Sequence, residues 1–185
     1  MRRATAILMS LSVCVWSAAL PASDQPLGVI LDVPAGWQAQ RQRGTVESYD
    51  AVRFLSPPQA GRRYAAYLAI HRRPIDHQSL DDGMTALLAT LPEGAQVQAR
   101  GTLVLGGLRA VSATAAYTIP ASQVEPPIPA VLVVTRWTLV DRAAQRYEFV
   151  CSAEATAPGV LASCERALAT VQWATPLHRR APAVR

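Results

Sequence analysis

The sequence predicts an α+β domain: an antiparallel meander sheet with helices packed on it. Three observations lead there. First, the stretch from Pro129 to Trp173 reads as two adjacent strands followed by a helix. Second, Val131–Leu139 is apolar or β-branched at nearly every position, which suits a strand covered on both faces, so a helix is expected on each side of the sheet. Third, the predicted elements run strands, helix, a series of antiparallel strands, then a last helix, the order of an α+β architecture rather than of alternating βαβ units.

The elements follow in chain order. Val29–Val33 is a short strand ended by Pro34-Ala35-Gly36, with Trp37 directly after it. The polar run from Gln38 to Asp50 fits a loop or an irregular edge strand. Ala51–Leu55 and Tyr64–His71 are further strands, separated by Pro57, Pro58 and Gly61. Ser79 can cap a helix, with Asp82 three residues later as its capping-box partner. Leu80, Met84, Leu87, Leu88 and Leu91 then form one apolar stripe, and Pro92 closes it. Gly83 inside that helix costs roughly 1 kcal/mol relative to Ala, so packing must supply the helix's stability. Val97–Leu105 alternates, with Val97, Ala99, Leu103 and Leu105 expected inward. Gly106-Gly107 makes a tight turn into Arg109–Ile119, a β-hairpin. A proline-rich connection, Pro120–Pro129, leads to the strand Pro129–Val140. Arg146–Ala153 alternates, placing Tyr147, Phe149 and Cys151 on one face. Val160, Leu161, Cys164, Leu168 and Val171 have helical spacing.

Half of the residues are hydrophobic and 17% are charged, so a packed core is expected and disorder is not. Residues 1–22 read as a secretory signal peptide: Arg2 and Arg3, an apolar run from Ala4 to Ala19, then small-residue cleavage points. That run is too short for a transmembrane span. Cys14 raises the alternative of a lipoprotein, but Val13 is not the small residue that lipid attachment normally wants before the cysteine. The domain is expected over residues 23–174, and residues 175–185 read as a loose polar tail. Loss of the leader leaves sixteen Arg against thirteen acids, a balance of +3. This charge is too weak and too scattered to argue for nucleic acid. Cys151 and Cys164 then remain in an oxidising compartment, where a disulfide between them is expected over two buried free thiols.

Several local motifs in this order resemble the PsbP/DcrB-like family. They are VPAGW (Val33–Trp37), FLSPP (Phe54–Pro58), the helix SLDDGMTALLATLP (Ser79–Pro92), the hairpin LGGLRAV (Leu105–Val111), and RYEFVCSAEA (Arg146–Ala155) leading to a helix and VQW. The resemblance implies an α/β/α sandwich and an exported bacterial relative. It also implies a non-enzymatic accessory, assembly or chaperone-like role, with an unidentified periplasmic or envelope protein as partner. No acidic or histidine cluster matches the ion sites proposed in photosynthetic members.

The residues point to no reaction. His71 and His77 flank Asp76 without a third ligand at useful spacing, so no metal and no cofactor are expected. Asp81 and Asp82 complement the start of a helix. No serine sits in a nucleophile elbow, no glycine-rich loop joins a strand to a helix, and the chain contains no lysine for Schiff-base chemistry. Arg62, Arg63, Arg72 and Arg73 flank one strand and are the candidate rim for an anionic partner, against the alternative of solvated strand ends. Trp37 and Trp137 read as core anchors. The expectation is a non-catalytic periplasmic binding or assembly module acting through its sheet edge, loops or proline-rich connector. A carrier of a small apolar or anionic ligand held between sheet and helix is the alternative.

Overall fold

The computed structural model describes residues 26–43, 50–58, 64–76, 78–121 and 129–174. The leader, the tail and residues 122–128 of the proline-rich connection lie outside them. The strands are β1 (Val29–Ile30), β2 (Gln38–Arg43), β3 (Asp50–Leu55), β4 (Tyr67–Pro74), β5 (Gln96–Leu105), β6 (Leu108–Ile119), β7 (Val131–Arg142), β8 (Gln145–Glu154) and β9 (Gln172–Trp173). Helix α1 (Leu80–Leu88) follows β4, and α2 (Pro158–Ala169) follows β8.

Seven strands form one antiparallel sheet in the order β2-β3-β4-β8-β7-β6-β5. It consists of two meanders, β2 to β4 and β5 to β8, joined side by side through β4 and β8. The chain crosses from β4 to the far edge through α1, which lies over β6 and β7. β1 and β9 make a separate two-stranded ribbon. The first part of the polar run, Gln38–Arg43, is therefore an edge strand, and the strand beginning at Val29 stops at Ile30, before the Pro34 turn.

Period-two alternation sends the two sets of apolar side chains to opposite faces. On one face Phe54, Leu68, Ile70, Phe149 and Cys151 meet Cys164, Ala167, Leu168 and Val171 of the α2 segment. On the other, Ala69, Val111, Ala113, Ala115, Trp137, Leu139 and Val150 meet Leu80 and Met84 of α1. Each layer thus covers half of the α/β/α sandwich. Ser79 caps α1 as its sequence pattern predicts: its hydroxyl oxygen accepts from the Asp82 N–H at 3.1 Å. The Asp82 carboxylate takes the Ser79 hydroxyl itself, at 2.7 Å.

Two local features of the sheet depart from regular strand and turn chemistry. β5 carries a bulge between Val97 and Ala99. The extra residue, Gln98, turns Val97 from the α2 side to the α1 side of the sheet; Val97 is 53% exposed, and Ala99, which stays on the α2 side, is exposed too, so neither is inward as expected. The other departure is the turn between β7 and β8. Its two central residues, Ala143 and Ala144, have φ of 49° and 60°, a left-handed conformation normally given to Asn or Gly in a two-residue hairpin.

Gly83 is not merely a weak helix residue. The Arg146 guanidinium lies where a Cβ on Gly83 would project. Arg146 is wholly buried. It donates to Asp141 at 2.9 and 3.0 Å, to the Gln78 carbonyl at 2.6 Å and to Asp76 at 3.3 Å. This cluster ties the start of α1 to the β7–β8 hairpin.

Candidate functional site

The sheet ends on one side at β5, whose first seven residues, Gln96–Thr102, are all exposed. Among the described residues only its inner edge is paired, to β6. An open edge offers a row of unpaired N–H and C=O groups, and proteins usually blunt such edges with charge, proline, brevity or bulges. β5 is ten residues long and has one charged residue, Arg100, and no proline; its bulge lies near one end, which leaves Ala99–Leu105 regular. Arg100 is already engaged by α1: it donates to the Asp81 carbonyl at 2.8 Å and lies 3.7 Å from the Asp81 carboxylate. Arg109, on β6, holds the other oxygen of that carboxylate at 3.1 Å. Asp81, in the first turn of α1, is therefore shared by the arginines of β5 and β6. The opposite edge, β2, is shorter and reads QAQRQR.

On the α2 side lie two adjoining hollows, the first between the helix and β5 and the second on the open sheet face beyond it. One, of about 200 Å³, is lined by residues that include Leu103, Leu105, Thr138, Leu168 and Ala169. The other, of about 270 Å³, has a floor of small side chains: Ala99, Gly101, Ser112 and Thr114. Both share Leu103 and Arg136. Arg136 donates to Glu165 of α2 at 2.8 Å, so the charged pair forms a wall rather than an open cationic site. Small residues next to a helix flank leave the sheet face uncovered here.

The remaining sequence candidates are placed apart. Cys151 of β8 and Cys164 of α2 are joined, with Cα atoms 5.9 Å apart, and both are buried. The bond anchors α2 to the sheet centre; closing a loop of this length is worth about 3 kcal/mol in the chain-entropy account. Arg62, Arg63 and His77 lie outside the described residues. Arg72 and Arg73 are consecutive on β4, so alternation sends them to opposite faces and the pair forms no single surface. His71 sits 3.8 Å from Glu148 on the neighbouring strand. Trp137 is buried in the α1 layer, and Trp37 packs on the edge of the α2 layer. Among the described residues no group of three or more His, Cys, Asp or Glu could hold a metal ion.

Two features were not anticipated from sequence. The Arg146 cluster is one. The other is a chain of hydroxyls across the α1 side: Tyr117 to Thr135 at 3.1 Å, Thr135 to Ser152 at 2.7 Å, and Ser152 to Tyr64 at 3.1 Å. Burial pushes both phenols above their ordinary pKa of 10.0. The chain therefore stays neutral at physiological pH; it satisfies the buried Thr135 and Ser152 and offers no base. Its members are 88 or fewer residues apart in sequence but share no motif, so only the strand register brings them together.

These elements define a PsbP-like α+β sandwich with one long open edge. Solved structures share this fold. The chain is similar to LpqN of Mycobacterium tuberculosis, described as involved in cell envelope biogenesis, at 13% identity and TM-score 0.54, covering 78% of this chain and 83% of that one. It is also similar to the cyanobacterial PsbP (CyanoP) of Synechocystis sp. PCC 6803, at 10% identity and TM-score 0.53, covering 79% and 86%. At these identities the likeness is one of fold. No protein-family model matches the sequence, and no curated protein matches it.

Proposed function

We propose that the protein is a non-catalytic, exported accessory module of the cell envelope that works by protein–protein contact along β5. The observation behind this reading is the edge itself: ten residues, with one charge already held by Asp81, and with Val97 and Val104 exposed on it. Strand addition along such an edge takes affinity from main-chain hydrogen bonds and specificity from alternate side chains. The disulfide is in keeping with export. So is the envelope setting of LpqN, whose fold this chain shares. No helix among the described residues is long and apolar enough to cross a membrane.

The alternative, a carrier of a small apolar or anionic ligand, draws on the two hollows beside α2. Each is smaller than the roughly 300 Å³ at which small-molecule sites begin. Both lie against β5, so edge contact accounts for them as well. The test compares tagged wild type with Val104→Arg, recovered from the envelope under native conditions. Val104 is 74% exposed, so the variant should keep its melting temperature. Loss of a co-purifying protein in Val104→Arg supports the contact reading. A small molecule retained by wild type in native mass spectrometry, with no protein co-purifying, would replace it with the carrier.

A further inference from the structure

We infer that the occupant of the β5 edge is a second copy of this chain, paired antiparallel about a twofold axis at Gly101. The inference rests on the contact reading above and names its partner. The bulge supplies the first argument. Without it, Val97 and Val104, an odd and an even position, would face opposite sides of the sheet. With Gln98 as the extra residue, Val97 pairs with Ala115 and Val104 with Arg109, both on the α1 side. The two exposed valines of the edge, at 53% and 74%, therefore share one face.

Register supplies the second. Antiparallel pairing about Gly101 sets Arg100 opposite Thr102 of the second copy, and Ala99 opposite Leu103 of the second copy. Counting through the bulge, Val97 falls opposite Val104 of the second copy, and symmetry repeats each pair. Opposite residues in every pair lie on the same face, as antiparallel strands require. The exposed valines cover one another twice. On the α2 side each Leu103 reaches the floor of Ala99 and Gly101 in the facing hollow. The centre of the pair is a glycine with open space around its Cβ position, so the backbones can approach without a side chain between them. Charge supplies the third argument. Arg100 is the edge's single charge, and Asp81 of its own chain already holds it. β2, with two arginines in six residues, lacks this self-complementarity. The product is one continuous sheet of fourteen strands, twice the seven of each copy.

A single strand pair is a small contact, at the end of the size range where association is weak and reversible. The experiment is sedimentation of the mature protein over a concentration series, with disulfide trapping of single-cysteine variants. Cys151 and Cys164 are bonded to each other, so an introduced thiol is the free one. Gly101→Cys places two thiols directly opposite at the axis, within reach of a disulfide. Thr102→Cys, one residue on, has no copy of itself opposite. The expected result is a concentration-dependent dimer and Gly101→Cys cross-linking about tenfold faster than Thr102→Cys. Val104→Arg should weaken the dimer at least about tenfold, which corresponds to 1.4 kcal/mol. A monomer at every concentration, with equal trapping of the two cysteine variants, overturns self-pairing. If Gly101→Cys is instead trapped in cells on a polypeptide of different mass, self-pairing falls and the contact reading stands. If it traps nothing there and nothing co-purifies with wild type, both fall.

Discussion

Replacing Gly83 with alanine should destabilise this protein, although it improves a helix. Helix propensity alone favours alanine by about 1 kcal/mol. Against this, a Cβ at Gly83 would lie 2.5 Å from Arg146 Nη1 and 3.4 Å from its Cζ. The guanidinium is fully buried and held by Asp141, Asp76 and the Gln78 carbonyl. It cannot move aside without stretching charge-assisted hydrogen bonds, each worth about 1.5–3 kcal/mol. The net cost expected for Gly83→Ala is about 2 kcal/mol, or about 4–8 °C in melting temperature for a domain of this size. The decisive comparison is the same substitution in an Arg146→Met background. Arg146→Met alone should cost about 3 kcal/mol, the lower end for a broken buried ion pair. The low figure follows from Asp141 and Asp76, whose side chains are 29% and 43% exposed and can be rehydrated. With the guanidinium gone, Gly83→Ala should stabilise by up to about 1 kcal/mol, so the two sites couple by about 3 kcal/mol. Thermal and urea melts of the four proteins, followed by circular dichroism, measure this cycle. A Gly83→Ala effect of the same sign and size in both backgrounds would refute the packing argument.

Two further outcomes follow from local chemistry. The double change Ala143→Asn and Ala144→Gly should raise stability by about 1–2 kcal/mol, because left-handed backbone costs an alanine about 1 kcal/mol more than glycine; urea midpoints read this directly. For the tyrosines, folded pKa values lie above the unfolded value of 10.0, so the unfolded chain releases its protons first. Their contribution to stability is complete below pH 10 and declines as pH rises above it, with a slope of up to about 1.4 kcal/mol per pH unit for each phenol. Denaturant melts across that range should show a smaller slope for Tyr64→Phe and Tyr117→Phe; an unchanged slope would remove the burial argument.

Much of the fold was legible because it is local. The capped start of α1, the strand–turn–strand runs and the apolar stripe of α2 each follow from periodicity or turn chemistry within a dozen residues. The two apolar faces of Val131–Leu139 announced a sheet covered on both sides, and the helix layers stand there. The boundaries were less legible. Tyr64 alternates with Ala66 and Leu68, yet β4 begins only at Tyr67, where pairing with Ser152 begins. The site was the least legible. Four arginines stood out as adjacent pairs in sequence, but Arg72 and Arg73 diverge because neighbours on a strand face opposite ways. The features that stand out in space, Arg146 under Gly83 and the Tyr117–Thr135–Ser152–Tyr64 chain, join residues with no shared motif.

By itself, the sequence determined the element types, their order and the existence of two apolar layers, because those depend on side-chain period and on turn residues a few positions apart. Only the tertiary structure decided which strands became edges, and so which surface was left to a partner. Edge position depends on how β4 meets β8 and on where α1 delivers β5. These are long-range choices with no local signature. The bulge at Gln98 shows the difference most plainly. One unpaired residue, visible only against the β6 register, turns Val97 to the α1 side of the sheet, the side that carries Val104.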